Sequence, residues 1–171
     1  MKALRIIVRA IDRLSLWVGF AVTPLMPIMM LILFIEVAAR YVFQSPTIWA
    51  YDSSVFVYGY LGLLGGAYAL RNNAHINVDF FYARLSRRGQ AVLDVISGCL
   101  AFFFLALMIM VTWKEAMNSI IMKERTYTEW SPPMGHMKLM IPISAALMLL
   151  QGLANWTRSL YRVVTDRELE K

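Results

Sequence analysis

The sequence predicts an all-α membrane protein of four transmembrane helices, and three observations predict it. First, four stretches carry no Asp, Glu, Lys or Arg: residues 14–35, 53–70, 95–113 and 139–157, which are 22, 18, 19 and 19 residues long. At about 1.5 Å of rise per residue, roughly 20 apolar residues cross a hydrocarbon core of about 30 Å. Second, the chain is 59% hydrophobic and only 16% charged, with a mean hydropathy of +0.55, whereas soluble domains carry about 25% charged residues. Third, Trp17, Trp49, Trp113, Trp130 and Trp156 all lie at or beyond the ends of these stretches, as an aromatic belt at the lipid–water boundary requires. At 171 residues the chain has room for one membrane domain, residues 1–171, and little besides.

The lysines and arginines set an orientation. Twelve lie in the N-terminal stretch, the second connection and the C-terminal stretch, against five in the first and third connections. Cytoplasmic segments are enriched in these residues, so both termini are expected in the cytoplasm. The formal net charge of +6 needs no nucleic-acid partner. Basic residues beside a bilayer meet anionic headgroups, each contact being worth roughly 1 kcal/mol.

Along the chain, Lys2, Arg5, Arg9 and Arg13 recur every three or four residues while Leu4, Ile7, Val8 and Ile11 cover the other side. That pattern predicts an N-terminal amphipathic helix in the interface, leading into span one. The apolar run that follows is longer than a signal-peptide core and has no small-residue cleavage site after it, so it reads as a retained helix. Within it, Thr23-Pro24-Leu25-Met26-Pro27 predicts a kink near Thr23, because proline removes a backbone donor.

Span two is short and glycine-rich. Gly59, Gly62, Gly66 and Ala69 fall at three- and four-residue steps, a small-residue face that lets another helix approach closely, from this chain or from another subunit. After Arg71, the stretch 75–82 is neither apolar enough to span nor polar enough for a free loop, and predicts an interfacial helix begun by Asn77 or Asp79. Span three is expected to run on as helix through 114–124, with a break at Ser131-Pro132-Pro133 and Gly135. Cys99, the single cysteine, reads as a small apolar filler. In span four the Gln151 amide is expected to seek an interhelical partner.

Ionisable groups near lipid are costly and are the first place to look for chemistry. Glu36 and Arg40 stand four apart at the end of span one and are expected to form a structural ion pair. Read instead as a coupling carboxylate, Glu36 would suit a small four-helix proton-coupled exporter working as a homo-oligomer, but it sits at a span end rather than at mid-membrane. His75 and His136 fall on opposite sides of the membrane in this topology and cannot share a metal or a haem. No spacing supports a nucleophilic triad or a phosphate-cradling loop, so neither an enzyme nor a bound cofactor is expected.

The ordered set Glu36-x-x-x-Arg40-Tyr41-Val42-Phe43, Ser45-Pro46-x-x-Trp49, Asp52, Gly62-x-x-Gly65-x-Ala67-x-Ala69-x-Arg71 and His75-Ile76-x-Val78-Asp79-x-Phe81 resembles the small, DctQ-like membrane subunit of tripartite ATP-independent periplasmic (TRAP) transporters. Arg71, His75 and Asp79 would form its cytoplasmic interfacial motif. Tyr51-Asp52 departs from the acidic pair or glutamate of many members, leaving Asp52 a helix-start cap.

The resemblance implies a scaffold subunit in the bacterial inner membrane. A large membrane subunit would carry the sodium and solute sites, and a periplasmic solute-binding protein would deliver the cargo. The runs 65–70 and Glu129-x-Ser131 with Lys138-x-x-Ile141-Pro142 are similar to a branch linked to 2-oxo acids and other small organic acids.

Overall fold

The computed structural model describes residues 2–72 and 87–165, and within them five helices: α1 (Lys2–Val22), α2 (Leu25–Tyr41), α3 (Ala50–Arg71), α4 (Arg87–Ile121) and α5 (Gly135–Thr165). Together α1 and α2 make the first crossing, so the four helices long and apolar enough to span a membrane begin at Arg5, Ala50, Val95 and Gly135. Four crossings bring the start of α1 and the end of α5 to one side, called here the terminal end. The connections 42–49 and 122–134 lie at the other, the loop end.

The amphipathic N-terminal stretch is helical, as its periodicity predicts. It runs without interruption into the first half of the crossing, and the break falls at Thr23-Pro24. Pro24 and Pro27 lack the N–H groups that would bond the carbonyls of residues 20 and 23. The Thr23 carbonyl instead accepts the Met26 N–H at 3.2 Å. Upstream, the Thr23 hydroxyl and N–H both donate to the Gly19 carbonyl, at 2.9 and 3.0 Å, which closes α1.

The helices form an open row rather than a closed bundle. The most extensive packing joins α4 to α5; α5 packs on α3, and α3 on α2, while α1 lies against α3 and α5. A row has two broad faces, so few side chains are enclosed. No residue of α2 is buried, and Met30, Leu31, Phe34 and Val37 stand exposed along it. On α4, Leu100, Phe103, Phe104, Met110 and Val111 do the same, a surface suited to lipid.

Where helices do meet, small residues set the distance. A Cβ at Gly19 would stand 2.5 Å from the Tyr68 ring, and one at Gly98 2.5 Å from Trp156. Trp156 also donates its indole N–H to the Val95 carbonyl at 3.1 Å and meets the Phe102 ring edge-on. It therefore pins α5 to α4 as well as standing near a span end. Cys99 is exposed on α4, so it faces outward instead of filling a packed interior. The interfacial helix expected around 75–82, with His75 and Asp79, lies outside the described residues.

Candidate functional site

The polar side chains are concentrated at the two ends of the row. At the terminal end, Ser15 donates to Gln151 Oε1 at 2.7 Å. Gln151 Nε2 donates to Asp12 Oδ1 at 3.0 Å and to Asn155 Oδ1 at 3.2 Å. Asn155 Nδ2 donates to the Leu70 carbonyl at 3.0 Å, meeting one of the acceptors at the end of α3. Arg158 completes the cluster, donating to Asn155 Oδ1 at 3.1 Å and pairing with Asp12.

Gln151 is 0% exposed and Ser15 1%. The cluster therefore joins α1, α3 and α5 where water is excluded and each bond counts for more. The partner expected for Gln151 is thus found on α1. Asp12 and Arg158 were not singled out in the sequence, although Asp12 is the only acid among the first thirteen residues.

At the loop end the Glu36 carboxylate is fully engaged. Oε1 accepts from Arg40 Nη2 at 2.5 Å and Nε at 3.1 Å; Oε2 accepts from the Thr47 N–H at 3.1 Å and its hydroxyl at 2.5 Å. The expected ion pair is present, and Thr47 adds a second role: Glu36 folds the first connection back onto α2.

Asp52 is 3% exposed and is not the cap of α3. That position belongs to Trp49, which makes no side-chain cap bond. Asp52 accepts the Thr128 hydroxyl at 2.5 Å and so ties α3 to the third connection. That connection is itself ordered: Thr126 N–H bonds the Pro132 carbonyl at 3.0 Å, Met134 N–H bonds the Glu124 carbonyl at 2.9 Å, and Arg125 bridges to Pro133. Lys138 pairs with Glu124 at 2.5 Å and holds that carboxyl below its ordinary value. Tyr60 and His136 share a hydrogen bond at 2.6 Å between α3 and α5.

The small-residue face of span two divides. A Cβ at Gly59 would meet the Met137 side chain at 1.8 Å, and one at Gly66 the Met148 sulfur at 3.0 Å, so both serve packing on α5. Gly62 has nothing within 4 Å, and neither has Gly65. Ala69 is half-buried. Gly62 instead continues an exposed line with Tyr51, Val55 and Tyr58, at steps of three and four residues. Arg71 ends α3 and donates to the Asn72 side chain at 3.3 Å. Among the described residues, no group of three metal-ligating side chains occurs.

Four apolar crossings, joined at both ends by polar ties, define a multi-pass helical membrane protein in which Asp12, Glu36, Asp52 and Glu124 link its own elements. A family profile described as the DctQ component of tripartite ATP-independent periplasmic transporters matches residues 29–162. The chain belongs to that family and is a TRAP transporter small subunit.

Two curated relatives come from Vibrio cholerae serotype O1. The C4-dicarboxylate TRAP transporter small permease protein DctQ is 33% identical over 92 residues, covering 52% of this chain and 39% of the relative. The sialic acid TRAP transporter small permease protein SiaQ is 24% identical over 90 residues, covering 53% of this chain and 49% of the relative. The chain thus spans less than half the length of either relative.

Proposed function

We propose that this chain is the fixed scaffold of a sodium-driven, ATP-independent importer of a small organic acid in the bacterial inner membrane, with both termini cytoplasmic. A large membrane subunit carries the sodium and solute sites, and a periplasmic solute-binding protein supplies the cargo. The observation that carries the scaffold reading is the engagement of four acids near the span ends. Asp12, Glu36, Asp52 and Glu124 are each bonded to another element or to a neighbouring connection. The apolar stretches between them hold no charge at all. A carboxylate already saturated by Arg40 and Thr47 is poorly suited to carrying a proton, which disfavours the exporter reading.

Both relatives are named for acidic solutes, which favours an acid here. The line Tyr51, Val55, Tyr58, Gly62 and Gly65 on α3 is the seat we assign to a helix of the large subunit. Its two glycines leave room that this chain does not fill. Reconstitution tests the proposal. Liposomes holding this chain alone should show no solute flux, and adding the large subunit and binding protein should yield uptake driven by a sodium gradient. Sodium-dependent flux by this chain alone would overturn the scaffold reading.

A further inference from the structure

We propose that a cleft at the loop end binds a phosphate group, supplied by an anionic lipid headgroup of the adjoining leaflet. The cleft, of about 380 Å³, lies between the end of α4 and the start of α5 and is lined by Lys123, Arg125, His136, Ser119, Gly135 and Glu124 among others. Its charge balance is positive. The only acid in the lining, Glu124, is neutralised by Lys138, whereas Lys123 and Arg125 form no ion pair among the described residues. Arg125 spends one guanidinium nitrogen on the Ser131 carbonyl, at 2.9 Å, and keeps its remaining donors.

Two further features add positive potential and donors. Gly135 opens α5, so the start of a 31-residue helix stands at the cleft wall; the Met137 and Lys138 N–H groups bond the Met134 carbonyl, which leaves those of Gly135 and His136. Ser119 is 2% exposed, and its hydroxyl, near enough to Glu124 to favour the charged carboxylate, completes no hydrogen bond. A buried hydroxyl is ordinarily bonded.

The height of the cleft favours a lipid over a free ion as the source. Gly135 precedes the charge-free stretch 139–157 by four residues, about 6 Å along the axis. That sets the α5 wall of the cleft at headgroup depth in a bilayer whose core of about 30 Å widens to about 40–45 Å with its polar layers.

Native mass spectrometry of the full chain, purified in detergent and supplied with equal phosphatidylglycerol and phosphatidylcholine, tests this. The wild type should retain phosphatidylglycerol preferentially. Lys123→Asn removes the charge while suiting the left-handed backbone there, at φ 50°. It should lower that retention about fivefold, the equivalent of roughly 1 kcal/mol for one basic residue.

Arg125→Gln should lower retention similarly; if it also loosens the loop, seen as a lower melting temperature, Lys123→Asn decides alone. Lys114→Gln, on α4 outside the cleft, should lower retention less than either. Displacement of the lipid by millimolar inorganic phosphate would support the site and reassign its source to the free ion. Equal retention of both lipids, or equal losses in Lys123→Asn and Lys114→Gln, would overturn the proposal.

Discussion

Gln151 on α5 donates its amide N–H to Asp12 on α1 at 3.0 Å, across 139 positions of sequence. The same amide nitrogen reaches Asn155, and its oxygen accepts from Ser15. Replacing it with leucine conserves bulk but leaves Ser15 and part of Asp12 without partners where water does not reach. Gln151→Leu is therefore expected to destabilise the folded chain by about 1–3 kcal/mol. Arg158→Met, which leaves Asp12 only the Gln151 amide, should cost about 1–3 kcal/mol. Thermal or denaturant unfolding in detergent measures both. A Gln151→Leu protein as stable as wild type would show that the cluster adds nothing to folding.

The two kinds of glycine on α3 and α1 separate folding from assembly. Gly62→Leu meets open space, so the isolated chain should fold with an unchanged melting temperature while its recovery with the large subunit falls sharply. Gly19→Ala should do the reverse. A Cβ there would stand 2.5 Å from the Tyr68 ring, and a rigid ring cannot yield as a methionine tail does. That variant should lose about 1–3 kcal/mol of intrinsic stability from overpacking. Wild-type recovery of Gly62→Leu with the large subunit would remove the assigned seat.

Glu36→Gln keeps an acceptor for Thr47 and loses the charge opposite Arg40. Because Arg40 is largely exposed, the loss of stability should be small, and solute uptake by the assembled transporter should survive. Abolished uptake with intact assembly would return Glu36 to the list of transport groups. Uptake assays beside melting curves distinguish the two outcomes.

The Glu124–Lys138 pair gives a pH dependence whose sign is set by a lowered carboxyl value in the folded chain. Its contribution is present above the ordinary value of 4.5 and is lost as the pH falls through the lowered one. Lys138→Gln should therefore melt below wild type at neutral pH, and the gap should close in acid below 4.5. Melting temperatures taken across an acid series provide the check. A gap constant with pH would mean that the charge on Glu124 plays no part.

What the sequence determined by itself follows from the solvent. Lipid tolerates no unpaired charge and no open backbone, so four charge-free stretches of the right length fix four helices, their approximate ends and an even number of crossings. The proline break at Thr23-Pro24 and the Glu36–Arg40 pair were legible for a similar reason, since both depend on neighbours within one turn. The tertiary structure decided what depends on contact between distant segments. It showed that Gly59 and Gly66 serve α5 while Gly62 stays open, and that Asp52 holds Thr128 instead of capping its own helix. It also joined Asp12, Ser15, Gln151, Asn155 and Arg158 into one cluster. Spacing places residues on a helix face but does not say which helix that face will meet. In lipid no hydrophobic force between helices ranks the choices, so close packing and buried hydrogen bonds select among them.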